Sequence, residues 1–224
     1  MSSSISYDGG DYTDFGAINP LTGASEISIS FWINPDDLGN GYFFGRNYNS
    51  SVSIGFDGTK LEMLLRDGVT SNLANMSSDD TLTTLLTVGE WSHICCTWDA
   101  NGGSNLYGLF VNGVSKGTSL RFFTANIDVI AAGSGNFRIG DIGLGSGFYF
   151  DGDFAYTKIF DRALSQSEVL ELMHKPKSIQ KSCVGEWDLL TLTPQDQSGV
   201  GNDGTNNGAT AGGDGPPVYF PKLK

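Results

Sequence analysis

Residues Ile27 to Asn34 read ISISFWIN, with Ile27, Ile29, Phe31 and Ile33 alternating strictly with Ser28, Ser30, Trp32 and Asn34. Successive side chains of an extended chain point to opposite faces, so a period of two predicts a half-buried β-strand. The same reading spreads outward from this stretch. Trp91 to Trp98 repeats it and places Ile94, Cys96 and Trp98 on one face. Leu106 to Val111 runs into Asn112-Gly113, a pair favoured in two-residue hairpin turns because both positions tolerate positive φ. Asp57-Gly58 is expected to act likewise between SVSIGF (51–56) and KLEMLLR (60–66). Further strands are expected at Phe137–Gly140, Phe154–Phe160 and Val218–Phe220.

One helix stands against this background. Ser165-Gln166-Ser167-Glu168 fits a capping box, in which the serine hydroxyl and the glutamate carboxylate each satisfy a free backbone N–H. Val169, Leu172 and Met173 supply an apolar stripe, and Pro176 ends it. So short a helix is unstable alone and must pack on the sheets. Glycine, at 31 of 224 residues, has about twice its average share, which fits many tight turns between short strands. The expected fold is all-β: a two-sheet antiparallel sandwich with one short accessory helix.

The formal charge of −12 argues against nucleic acid, whose phosphates need Lys and Arg clusters, and against an anionic membrane surface. No stretch approaches the 18 or so apolar residues of a bilayer span, and MSSSISYDGG (1–10) carries no visible secretory signal. Cys95, Cys96 and Cys183 are an odd set with an adjacent pair, which reads as buried thiols and assembly in a reducing cytoplasm.

The order of motifs resembles the laminin-G-like, concanavalin A-like jelly-roll family of lectins and glucanases. ISYDGGDYTDFG (5–16) is similar to its opening strand and SISFWINP (28–35) to the next. GEWSHICCTWD (89–99) and LFVNGVSKGT (109–118) resemble its central strands. FYFDGDFAYTKIFDRALSQSEVLEL (148–172) resembles its closing segment. The resemblance implies a jelly-roll sandwich over residues 1–175, followed by a connector, PKSIQKS (176–182). Two departures stand out. Where the family's closing strand carries an Asp-Glu pair that helps hold calcium, this chain has Ala155 and Tyr156. WDLLTLTPQDQSGVGNDGT (187–205) resembles the segment that precedes the family's opening strand, yet it comes last. This stretch reads as a permuted first strand or as the start of a truncated second repeat; residues 183–224 are expected, on the first reading, to complete the same sandwich, or else a neighbour's in a homo-oligomer.

Catalysis has to be read from residues, because this fold hosts both enzymes and binding modules. The family's glucanases use Glu-x-Asp-x-x-Glu. Glu186-Trp187-Asp188 is the lone Glu-x-Asp here, and Thr191 stands where the second glutamate should be. His93 and His174 form no metal or triad motif. The chain is expected to be no enzyme. Calcium needs six to eight oxygens. The resemblance places its site between the acidic turn of Asp8, Asp11 and Asp14 and the turn of Asp151 and Asp153. Asp8, Asp11, Asp151 and Asp153 are the expected ligands, with Asp153 replacing the carboxylate lost at Ala155. The Asp196–Asp203 loop is a weaker candidate. For sugar binding, aromatics beside amides in Gly-rich stretches suggest Asn47, Tyr48 and Tyr149, with Tyr42, Asn49 and Phe148 nearby.

The resemblance implies a non-catalytic surface or structural protein, such as a bacteriophage virion decoration, fibre or attachment component, with glycan binding. Its expected partners are other virion or surface proteins and cell-surface glycans, on a virion or extracellular particle. A free carbohydrate-binding lectin and a degenerate glycoside hydrolase are the rival readings.

Overall fold

The computed structural model describes residues 4–46, 51–67, 72–101, 106–123, 127–132, 135–143 and 149–218. With strands numbered in chain order, one antiparallel sheet runs β10 (Val114–Lys116), β9 (Leu106–Val111), β8 (Ser92–Asp99), β3 (Glu26–Pro35), β13 (Asp151–Phe160), β1 (Ile5–Asp8), β16 (Thr210–Ala211). In that sheet β14 (Cys183–Trp187) also pairs with β13. The other runs β11 (Thr118–Phe123), β7 (Leu73–Ser78), β6 (Leu61–Arg66), β5 (Val52–Asp57), β4 (Asn40–Gly45), β12 (Arg138–Gly140), β2 (Tyr12–Asp14), β15 (Thr205–Asn207). A 3-10 turn (Asn19–Leu21) and two short α-helices, α1 (Leu82–Leu85) and α2 (Gln166–His174), complete the described elements.

The alternation in β3 and β8 builds the core. Ile27, Ile29, Phe31 and Ile33 join Ile94, Cys96 and Trp98 in one buried cluster with Phe43, Phe44, Ile54 and Met63 of the facing sheet. Phe31 stacks on Phe44 at 5.8 Å and 17°. Full burial of each such side chain stabilises the fold by about 1.5–3 kcal/mol, so this layer fixes which face of each strand points inward.

The expectation of a half-buried β3 is corrected: both of its faces are covered. Ser28, Ser30 and Trp32 are at most 5% exposed. Their face lies under α2 and the C-terminal segment. Ser28 Oγ donates to the Arg162 carbonyl (2.8 Å) and accepts from the Leu164 N–H (2.9 Å). Trp32, Ala155 and Tyr156 pack under Trp91, Met173, Leu190 and Val218. Small hydroxyl side chains let this cover approach closely while satisfying its backbone.

The capping box forms as written, with Ser165 and Glu168 exchanging hydrogen bonds. Val169 and Leu172 bury against Cys95, Phe110, Phe160 and Cys183. The three cysteines are buried and free. Burial pushes Cys96 up to about 12 and Cys183 up to about 11, so these thiols stay protonated and inert at neutral pH. Asn112 (φ 50°) and Gly113 (φ 74°) make the two-residue hairpin. The Asp57 turn is longer than expected, because Asp57 Oδ1 accepts from the N–H groups of both Thr59 and Lys60. Val218 lies outside any strand, and 219–220 lie outside the described residues.

The C-terminal segment supplies strands to both sheets. β15 pairs with β2, and β16 with β1. β14 and β1 lie along the same edge of β13, both antiparallel to it, with Trp187 opposite Thr157 and Ile5 opposite Phe154. They therefore run in one direction, nearly end to end. Beneath the connector, Lys158 Nζ lies 3.3 Å from Glu186 Oε1, both side chains being at most 3% exposed. Lys158 also donates to the Ile179 carbonyl (2.7 Å), and Gln180 Nε2 to Glu186 Oε2 (2.8 Å).

Candidate functional site

Three chain segments meet at one end of the sandwich. Asp8 lies opposite Asp151 across β1 and β13, and Gly152 lies opposite Pro35 across β13 and β3. Beyond Pro35 the chain turns: the Asp36 N–H donates to the Asp151 carbonyl (2.9 Å) and the Gly39 N–H to Asp37 Oδ1 (2.7 Å). This aspartate-stabilised turn delivers Asn40 to the start of β4. Between the segments lies a cleft of about 350 Å³, lined by Asp8, Gly9, Asp37, Gly39, Asn40, Tyr149 and Asp151. Gly9 (φ +86°) carries no side chain under the Tyr149 ring, where a Cβ would come within 3.5 Å. At Gly41 a Cβ would sit 2.4 Å from the Tyr149 carbonyl oxygen, so glycine there lets the tyrosine backbone lie flat on β4.

The cleft is acidic. Burial, then the nearby Asp36, Asp37 and Asp8, raise the Asp151 carboxyl above its usual range. Asp11 is raised by burial and by a hydrogen bond with Asp8. Asp153 is turned elsewhere; burial raises it, while Ser6 and the Gly213 N–H hydrogen-bond its carboxylate. Of the four expected metal ligands, then, Asp8 and Asp151 share the cleft, Asp11 adjoins Asp8, and Asp153 is engaged on its own. Among the described residues, no three His, Cys, Asp or Glu side chains are grouped to hold a metal ion. Asp8 and Asp151 are the two expected ligands that face each other here, two carboxylates against the six to eight oxygens that calcium takes.

Of the expected sugar ligands, Tyr149 lines the cleft. Asn47 and Tyr48, with Asn49 and Phe148, lie outside the described residues. Tyr42 is buried, its hydroxyl donating to Glu62 Oε2 at 2.6 Å. Sequence reasoning missed Asp37 and Asn40. Their signal was a turn sequence, DLGN (37–40), directly after a core strand, which carries no mark of function by itself.

Several carboxylates outside the cleft are committed to structure. Glu62, 2% exposed, accepts from Tyr42, Asn75, Ser77 and Arg121. It lies beside a polar groove of about 480 Å³ walled by Asp57, Lys60, Ser77 and Arg121. Glu186 is paired with Lys158, and Asp188 Oδ2 with Lys177 Nζ at 2.6 Å. Asp196 organises its loop: Oδ1 accepts from the N–H groups of Glu186 and Ser198, and Oδ2 from those of Gly201 and Asn202. Burial pushes this carboxyl up, but the hydrogen bonds outweigh it and hold the pKa low. His93 is 1% exposed and meets Ser30 Oγ through Nε2 at 2.9 Å.

Comparison with known proteins fits this geometry. A family model described as the concanavalin A-like lectin/glucanases superfamily matches residues 7–170. The chain belongs to that superfamily. A candidate carbohydrate binding protein from Bacteroides ovatus ATCC 8483 superposes with a TM-score of 0.69 at 21% identity, over 93% of this chain and 59% of that one. This chain thus spans about three fifths of that protein's length. A heptameric SAP-like pentraxin from Limulus polyphemus superposes at 0.54 with 20% identity, over 77% and 82% of the two chains. The CBM40 of Ruminococcus gnavus IT-sialidase, bound to α2,3-sialyllactose, superposes at 0.54 with 12% identity, over 76% and 96%. At these identities the likeness is one of fold. No curated protein matches the chain.

Proposed function

We propose that this chain is a non-catalytic carbohydrate-binding module whose ligand sits in the Tyr149 cleft. The observation that carries the reading is the composition of that cleft: one aromatic ring beside the Asn40 amide and the Asp8, Asp37 and Asp151 carboxylates. A sugar presents an apolar ring face to an aromatic and hydroxyls to amides and carboxylates, and few precisely placed polar groups suffice for orientation. The fold shared with two neighbours named for sugar binding supports the same class. Against an enzyme stand the commitments of Glu62, Glu186 and Asp188 to internal partners. The test is a glycan array with the intact chain, run beside a reducing-sugar assay on every glycan retained. Binding without hydrolysis is expected. Hydrolysis lost in Asp151→Asn would instead make the facing Asp8 and Asp151 a catalytic pair.

Calcium belongs to the same proposal, narrowed to a bridge between Asp8 and Asp151, with water or sugar hydroxyls completing its shell. Binding to the folded chain alone would raise its melting midpoint by mass action. The midpoint is expected to rise from excess EDTA to millimolar Ca²⁺, and not to do so in Asp151→Asn. Equal midpoints for the unaltered chain remove the metal. The expected setting on a virion or other particle surface rests on the family resemblance, and the comparisons lend it no support.

A further inference from the structure

We infer that the ligand is a neutral glycan chain of several residues, laid from the Tyr149 cleft across the strand ends to the groove at Arg121. That the ligand is a sugar rests on the proposed function; its length and charge are the new part. Strands β4, β5, β6, β7 and β11 are neighbours in that order, each antiparallel to the next. Asn40, Asp57, Lys60, Asp79 and Ser119 therefore stand at one end of the sheet, on these strands or at their tips. Three cavities follow this edge. The Tyr149 cleft, of about 350 Å³, meets the DLGN turn (37–40) at Asp37, Gly39 and Asn40. A second, of about 270 Å³, lies against Leu38 of the same turn and against Gly58, Thr59, Leu82 and Thr83. Thr59 also lines the third, the groove of about 480 Å³ that holds Ser77, Ser119 and Arg121. A Cβ on Gly58 would come within 4.0 Å of the Asn40 Cβ, so the two turns that separate the cavities touch each other. Four strand spacings of ~4.8 Å put about 19 Å between Asn40 and Ser119, well beyond the span of one sugar ring.

The walls suit a polyhydroxy chain. In the middle cavity Leu38 and the threonine methyls give apolar surface, and the threonine hydroxyls give hydrogen-bonding groups. In the third, Ser77 Oγ donates to Glu62 Oε1 and Ser119 Oγ to Asp79 Oδ1. Both hydroxyl oxygens keep lone pairs that can accept from a ligand O–H. The charges there are engaged with one another: Arg121 pairs with Asp57 and Glu62, and Lys60 Nζ donates to the Asp79 carbonyl. An ionic ligand would have to displace one of these partners, whereas sugar hydroxyls can add to them. The junction at Thr59 is held from both sides. Asp57 Oδ1 accepts its N–H, and its carbonyl accepts the Leu82 N–H of α1 at 2.8 Å. A preformed floor of this kind lowers the ordering cost of binding. Each cavity alone is small against the ~300–1,000 Å³ of an ordinary ligand pocket, and a chain spanning all three draws on them together.

The test is calorimetric titration of the whole chain with cello-, xylo- and manno-oligosaccharides, each from the single sugar to the hexasaccharide. In at least one ladder the hexasaccharide should bind at least tenfold more tightly than the disaccharide, a larger gain than the extra binding frames of a long chain provide. That gain should disappear in Thr59→Arg and in Thr83→Arg, which crowd the middle cavity from the Asp57 turn and from α1. The quantity read is the ratio of hexasaccharide to disaccharide affinity within each protein, so a partly unfolded variant does not disturb it. A ratio near one in the unaltered chain, a ratio unchanged in both variants, or array glycans retained while no ladder binds would each overturn the inference. Glycans still bound through Tyr149 would in each case leave the proposed function standing, whereas an array with no glycan retained would remove both.

Discussion

At the scale of the residue, His93 reports how completely the outer face of β3 is covered. Burial, followed by the nearby His174, lowers its pKa to about 3. In the unfolded chain an imidazole titrates near 6.5. Between those values the unfolded state binds the extra proton, so stability is full above about pH 6.5 and declines as pH falls toward 3. The slope from this one group reaches about 1.4 kcal/mol per pH unit. His93→Gln should flatten urea-measured stability between pH 6.5 and 4; parallel slopes in the two chains would refute this. The resemblance of GEWSHICCTWD (89–99) to a central strand of the family put His93 on a core strand. The sequence did not mark Asp37 or Asn40, whose place depends on β1, β3 and β13 meeting across more than a hundred residues of chain. Tyr149 was legible as an aromatic in a Gly-rich stretch, whereas Tyr42, in a similar stretch, is held inside by Glu62.

At the scale of the element, the lesson of β3 is that a period of two fixes which face is apolar, not whether the other face is wet. Serine at 28 and 30 looks like a solvent face, yet it serves a second interior under α2. The capping box of α2 was legible because it is local. Glu168 is held down to about 2, first by its hydrogen bond with Arg162 and also by Ser165. The cross-strand pair of Lys158 and Glu186 was not legible, because the two lie 28 positions apart and meet through strand register. Removing one charge of such a pair leaves the other buried and unpaired, at a cost of about 3–5 kcal/mol. Glu186→Gln should therefore lower unfolding stability by that order, and Lys158→Met with Glu186→Leu should recover most of it. Additive losses in the double variant would show that the pair is not coupled.

At the scale of the whole molecule, the late segment closes both sheets from the edge. Trp187 is fully buried, 4.3 Å from the Phe15 ring, and its Nε1 donates to the Asn202 carbonyl. The Gly212 N–H donates to the Ser4 carbonyl at 3.1 Å. We propose that residues 183–213 are the family's leading strand displaced to the end of the chain. Deleting residues 183–224 should leave an insoluble or oligomeric remainder with an open β13 edge. A relinked chain running 182–213, a short linker, then 4–175, should fold cooperatively as a monomer. A soluble monomeric deletion would contradict the first expectation, and an unfolded relinked chain the second. The central claim, that the Tyr149 cleft binds sugar, is tested most directly by titrating the intact chain and Tyr149→Ala with the strongest array glycan. Loss of the aromatic platform should weaken binding at least tenfold with the melting midpoint little changed. Equal affinity in the two proteins would place the ligand elsewhere and contradict the account.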